Sequence, residues 1–134
     1  MAKKRVLLVD DDQDFISINR SVLEAAGFEV VVAYDGAEGF RLATGTTVDL
    51  AILDVMMKEP DEGFVLARKL RQNPATAAIP LVMLTSVNAV NEASGHPFRL
   101  GDQDRDEMWL PVDKFVDKPV KPDLLVALAR KLAR

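Results

Sequence analysis

The chain has 134 residues, 49% apolar and 28% charged, with a net charge of −4, no cysteine and one histidine. That length suits one domain with its own core, and the balance of residue types is that of a globular protein. The acidic balance without a dense Lys/Arg patch argues against direct nucleic-acid binding, and the missing thiols exclude disulfides and thiolate metal sites. Lys3-Lys4-Arg5 is followed by only four apolar residues, too few for a signal peptide or a membrane span, so a cytoplasmic protein is expected.

Val6 to Val9 reads as a short buried strand that runs straight into Asp10-Asp11-Asp12. Acidic residues there suit the start of a helix. That helix is expected to face inward through Phe15, Ile18, Val22 and Ala26, flanked by Ile16 and Leu23, and to stop at Gly27. Phe28 to Tyr34 has the β-branched composition of a strand. Asp35-Gly36 turns the chain into a short helix, Ala37 to Ala43, weakened by Gly39. Leu50 to Leu53 and Val55 are apolar around one carboxylate, Asp54, so the third strand is buried on both faces.

Lys58 to Glu62 reads as a polar loop, and Phe64 to Arg71 as a helix burying Leu66, Ala67 and Leu70 and closed by Asn73-Pro74. Ile79 to Leu84 is a fourth buried strand, ending in Thr85-Ser86, and Lys114 to Val116 a fifth, ending in Asp117-Lys118-Pro119. The last helix starts near Pro122 and buries Leu124, Leu125, Leu128 and Leu132. Five strand–helix units predict a parallel α/β sheet with helices on both faces.

In such a sheet ligands gather at the carboxyl ends of the strands. Those ends carry Asp10 and Asp11, Asp54, Thr85 and Lys118. Carboxylates brought together repel unless a cation sits among them. With no cysteine and only His96 as imidazole, a hard oxygen site for Mg²⁺ is the natural reading. Lys118 and the Thr85 hydroxyl can meet phosphoryl oxygens, which leaves Asp54 as a nucleophile.

The sequence resembles the receiver domain of two-component response regulators. Leu8-Val9-Asp10-Asp11, Leu53-Asp54-Val55-Met56-Met57, Thr85-Ser86 and Lys118-Pro119 match it in order and from end to end of the chain. The resemblance implies a flavodoxin-like (βα)5 fold with strand order 2-1-3-4-5. It implies that Asp54 accepts a phosphoryl group from a sensor histidine kinase or phosphotransfer protein, with Mg²⁺ as cofactor. Asp11 would bind the metal directly, Asp10 mainly through water, and Met56 through its backbone carbonyl. Thr85 and Lys118 would hold the phosphoryl group, Phe115 would be the switch aromatic, and Lys118-Pro119 a cis peptide. The output would be a downstream protein target met at the face of the fourth and fifth units. A single domain over 1–134 without an output domain is expected, as monomer or weak dimer.

Two departures from the family stand out. The usual proline four residues after the aspartate is Lys58 here, with proline at Pro60, and the usual glycine arrives one residue late, at Gly63. The tuning positions Met56 and Val87 are both apolar. The stretch of about 86–113 is also longer than the family's, by a few helical turns at most. It is read as a partner-specific surface, with a short or displaced helix and Trp109-Leu110 packed back on the domain. Asp102, Asp104 and Asp106 imitate a calcium loop but lack its glycine and its twelfth-position glutamate. Two other readings are an unphosphorylated receiver-like scaffold, favoured by the altered loop, and a haloacid-dehalogenase-type phosphohydrolase. The latter would use Asp10 as nucleophile, with Asp12 and Gly101-Asp102 to Asp106 as its further motifs.

Overall fold

The computed structural model describes residues 3–55, 57, 62–85, 112–118 and 120–133. Strands β1 (Arg5–Val9), β2 (Glu29–Ala33), β3 (Leu50–Asp54), β4 (Leu81–Thr85) and β5 (Lys114–Asp117) form one sheet in the order β2-β1-β3-β4-β5. Every neighbouring pair is parallel. The described helices are α1 (Gln13–Ala25), α2 (Gly36–Gly45), α3 (Glu62–Gln72) and α4 (Pro122–Leu132). The flavodoxin-like order expected from the sequence is the observed one. Its direction reverses between β1 and β3, and such a reversal opens a crevice at the carboxyl edge. Asp10 and Asp54 leave the sheet at that point.

Alternation along the strands sorts the core into two halves. Leu7, Val9, Ala51, Leu53, Leu81 and Met83 pack with Leu66, Ala67 and Leu70 of α3 and Ala43 of α2. Val6, Leu8, Leu50, Ile52, Val82 and Leu84 pack on the other face with Ile16 and Leu23 of α1 and Leu125 and Ala129 of α4. Asp10 and Asp54 continue the second series, two residues past Leu8 and Ile52. The acidic groups therefore sit above the half-core that α1 and α4 cover.

Helix α1 begins at Asp12, whose Oδ1 accepts from the N–H groups of Asp14 (3.0 Å) and Phe15 (3.1 Å). It ends in a Schellman turn, with Phe28 N–H donating to Leu23 O (3.1 Å), Gly27 N–H to Glu24 O (3.0 Å), and Gly27 at φ +100°. Its buried stripe is Ile16, Asn19 and Leu23, with Phe15, Val22 and Ala26 half-buried beside it. Ile18, expected to face inward, is 61% exposed. Asn19 fills the stripe instead, because its amide is satisfied by the Phe15 carbonyl at 2.8 Å. In α4 the stripe runs through Leu125, Leu128 and Ala129, and Leu124 faces solvent rather than the core. Gly39 does more than weaken α2. A Cβ there would meet Leu66 Cδ2 and Val9 Cγ2 at 3.1 Å, so its absence lets α2 press against β1 and α3.

The amino edge of the sheet is held by arginines. Arg5 pairs with Glu29, its Nη1 donates to Thr47 O (3.0 Å), and its N–H donates to Asp49 (2.8 Å). Arg71 donates to Ala77 O (2.9 Å), Ile79 O (2.5 Å) and Asp113 Oδ2 (2.8 Å). Asp113 Oδ2 also accepts from Leu81 N–H at 2.7 Å, while Asp113 N–H donates to Leu81 O at 2.8 Å. One carboxylate thus ties the end of α3 to the starts of β4 and β5. Asp113→Ala is expected to lower the unfolding free energy by about 1–3 kcal/mol, the cost of depriving a partly buried donor of its acceptor. Urea titration measures it, with Asp113→Asn losing less.

Candidate functional site

Asp10 follows β1 and is 1% exposed, and Asp54 closes β3 at 5%. Lys118, one residue beyond β5, reaches both: its Nζ lies 2.7 Å from Asp10 Oδ2 and 3.3 Å from Asp54 Oδ1. The other Asp10 oxygen accepts from Asp12 N–H at 2.9 Å, and Asp10 N–H donates to Ala33 O at 3.1 Å. Asp11 is exposed at the rim. One carboxylate oxygen from each of Asp10, Asp11 and Asp54 lies within 4.8 Å of the others.

The charges do not balance. Two buried carboxylates share one ammonium, and a third carboxylate stands close by. Burial, reinforced by the charge of Asp10, pushes the Asp54 carboxyl up from 3.8 to about 7, against the pull of Lys118. Burial opposes the charged form of Lys118, but its hydrogen bond to Asp10 and the two carboxylate charges outweigh that and hold the ammonium above its ordinary value. The chain has no cysteine, and His96 lies outside the described residues. Hard oxygens with an unmet negative charge fit Mg²⁺ rather than a softer ion.

The remaining expected residues are placed to different extents. Thr85 ends β4 opposite Asp117, one step beyond the Leu84–Asp54 pair, and Phe115 pairs with Met83. Met56, Pro119, Val87, His96 and the 86–111 stretch with Trp109-Leu110 lie outside the described residues, as do Lys58 to Asp61. Glu62, expected in the loop, begins α3. Gly63 is a necessity of packing. Its N–H donates to Val55 O at 2.9 Å, and a Cβ on it would lie 2.1 Å from Asp54 O and 2.7 Å from Val55 Cα. The start of α3 rests directly on the backbone of the site.

The response regulator receiver domain family matches residues 6–130. The chain belongs to that family. RpaA of Synechocystis, a DNA-binding dual master transcriptional regulator, is 35% identical over 133 residues, which are 97% of this chain and 49% of that protein. The response regulator PleD of Caulobacter vibrioides is 32% identical over 131 residues, 97% of this chain and 26% of that protein. The chain spans about half the length of the first and about a quarter of the second. The chemotaxis protein CheY4 of Vibrio cholerae superposes with a TM-score of 0.80 at 24% identity, over 98% of this chain and 99% of that one. A CheY-like receiver domain protein of Methanospirillum hungatei reaches 0.75 at 26% identity, over 98% and 94% of the two chains.

Membership of the receiver family sets aside the dehalogenase-type reading. It places the chain in two-component signalling, in a family that is not one of conventional enzymes. Among the described residues no helix is long and apolar enough to cross a membrane.

Two contacts around these elements are not evident in the sequence. Phe15 looks like an ordinary core residue, yet the Lys118 Nζ lies 4.4 Å from the centre of its ring. Glu62 looks like loop, yet its carboxylate accepts from Gly36 N–H at 2.5 Å and so joins the start of α3 to the start of α2. Its only signal is an acidic residue just before the inward stripe of a helix.

Gly63→Ala is expected to cost about 3 kcal/mol or more, since a Cβ against backbone cannot be relieved by a rotamer change. Thermal unfolding reads it directly. Asp54→Asn should stabilise the chain in metal-free buffer. The Asp54 carboxyl titrates higher in the folded chain than at its ordinary 3.8, so its contribution to stability is full below about pH 4 and lost as pH rises through about 7. Asparagine has no such loss. The unfolding midpoint of the variant should exceed that of the wild type by about 3 °C or more at pH 8, with the gap closing toward pH 4.

Proposed function

We propose that this receiver domain is a phosphoacceptor: Asp54 takes a phosphoryl group from a sensor histidine kinase or a phosphotransfer protein in the cytoplasm, and the modified domain binds a protein target. The observation that supports this best is the placement of Asp54 at the switch point of the sheet, buried beside Asp10 under one shared ammonium.

An oxygen of the Asp54 carboxylate would attack the phosphorus of a donor phosphohistidine. The O–P bond forms as the N–P bond breaks, and the departing imidazole takes its proton from solvent. Asp10, Asp11 and Asp54, with the Met56 carbonyl, would hold Mg²⁺, which when bound offsets the charge of the carboxylates and of the phosphoryl oxygens. The Lys118 ammonium already stands at hydrogen-bond range from Asp54 and can pair with a phosphoryl oxygen without a large movement. Thr85, at the end of the next strand, would supply a hydroxyl to another. Water would later attack the phosphorus and restore the carboxylate with release of inorganic phosphate. The output would run through Thr85 and Phe115 to the face of β4 and β5, as a shift between two conformations.

The scaffold reading rests on the altered loop after Asp54. The late glycine of that loop is accounted for by the close contact of Gly63 with the Asp54 backbone.

Incubation with acetyl phosphate and Mg²⁺ should add one phosphoryl group to the intact mass. Asp54→Asn should show no addition, nor should the wild type in EDTA. Lys118→Ala should gain the group about 100-fold more slowly, the effect of losing one preorganised charge at the transferring group. Addition that persists in Asp54→Asn would overturn this assignment.

A further inference from the structure

The ammonium of Lys118 is held on three sides. Two are the carboxylates of Asp10 and Asp54, and the third is the face of the Phe15 ring, 4.4 Å from Nζ to the ring centre. A cation over an aromatic face is attracted by the ring quadrupole, more strongly where water is excluded. The Lys118 side chain is only 20% exposed.

The backbone that carries the ring is itself held. Phe15 N–H donates to the capping carboxylate of Asp12 (3.1 Å), and Phe15 O accepts from the amide of buried Asn19 (2.8 Å). Asp12 N–H in turn donates to Asp10 Oδ1 (2.9 Å). One short run of backbone, from Asp10 to Phe15, therefore supplies both the carboxylate and the ring that receive the same ammonium. A second carboxylate from β3 completes the enclosure.

We infer that Phe15 is a positioning residue of the phosphoacceptor site: its ring holds the Lys118 ammonium over Asp54 while the charges around it change. The inference rests on the phosphoacceptor reading of Asp54. Without the ring, the flexible lysine stem keeps only its salt bridges, whose carboxylates are the groups that metal and phosphoryl binding would engage. An apolar side chain of similar volume fills the space but offers no quadrupole.

The test is a double-mutant cycle on acetyl phosphate uptake, read by intact mass, with wild type, Phe15→Leu, Lys118→Ala and the double variant. Thermal unfolding of each is measured alongside. Phe15→Leu is expected to slow uptake by about three- to tenfold, the strength of one partly desolvated cation–ring contact. Phe15→Tyr should retain most of the rate. In the Lys118→Ala background, Phe15→Leu should change nothing further. An equal slowing in both backgrounds would make the ring a packing element only, and no slowing in either would overturn the inference. A second readout is independent of phosphorylation. The ε-methylene protons of Lys118 should show an upfield ring-current shift in the NMR spectrum that Phe15→Leu abolishes. If the wild type takes up no phosphoryl group, it is the reading of Asp54 that fails, and the presence or absence of that shift then decides whether the ring holds the lysine.

Discussion

One ammonium shared by two buried carboxylates is the constraint on which this domain turns. Asp10 and Asp54 come from neighbouring strands at the reversal of the sheet, and each would be costly to bury alone. Lys118 serves both, at 2.7 Å and 3.3 Å, and cannot fully neutralise either. The site is therefore left short of positive charge by the fold itself. A chain that only needed stability would be better served by apolar residues there, since buried ion pairs seldom outdo them. The arrangement leaves an unmet negative charge at the sheet's carboxyl edge, which a hard cation fits.

The supporting contacts follow from that constraint. Asp12 caps α1 and donates its own N–H to Asp10, so the turn that starts the helix also orients the buried carboxylate. Gly63 lets α3 start against the Asp54 carbonyl, which fixes the end of β3 from the opposite face. The amino edge carries the arginine clamps of Arg5 and Arg71, far from the acidic crevice in the direction of the strands. The clamps of Arg5 and Arg71 are thus at the opposite end of the sheet from the Lys118 pairs.

Much of this was legible in the sequence. Short apolar runs ending in Asp10, Asp54, Thr85 and Lys118 identify a parallel sheet with polar residues gathered at one edge, because strand alternation and the crossover rule leave few other arrangements. Helix faces were harder. Ile18 and Leu124 are apolar and fall near the stripe, yet both face solvent, while polar Asn19 is buried because a local carbonyl satisfies it. Counting hydrophobic residues cannot see that satisfaction. The roles of Gly39 and Gly63 were hidden for a different reason, since each depends on another element that approaches from far along the chain. Phe15 was hidden by its ordinariness: an aromatic in the first turn of a helix looks the same whether a lysine lies over it or not.

The division of the interior has a consequence for where a core substitution is felt. The two half-cores lie on opposite faces of the sheet and share little but its backbone. Substitutions within one half can be compensated inside that half, as expected for residues without common partners. Asp10, Asp54, Lys118 and Phe15 all belong to the α1 and α4 side, whereas α2 and α3 enclose the other. The strand positions of Thr85 and Phe115 fall in the other series, that of Met83, so both halves of the interior lead to the same edge of the sheet. The two faces are thus separate in packing but joined at the carboxyl edge, where strand residues of both series end.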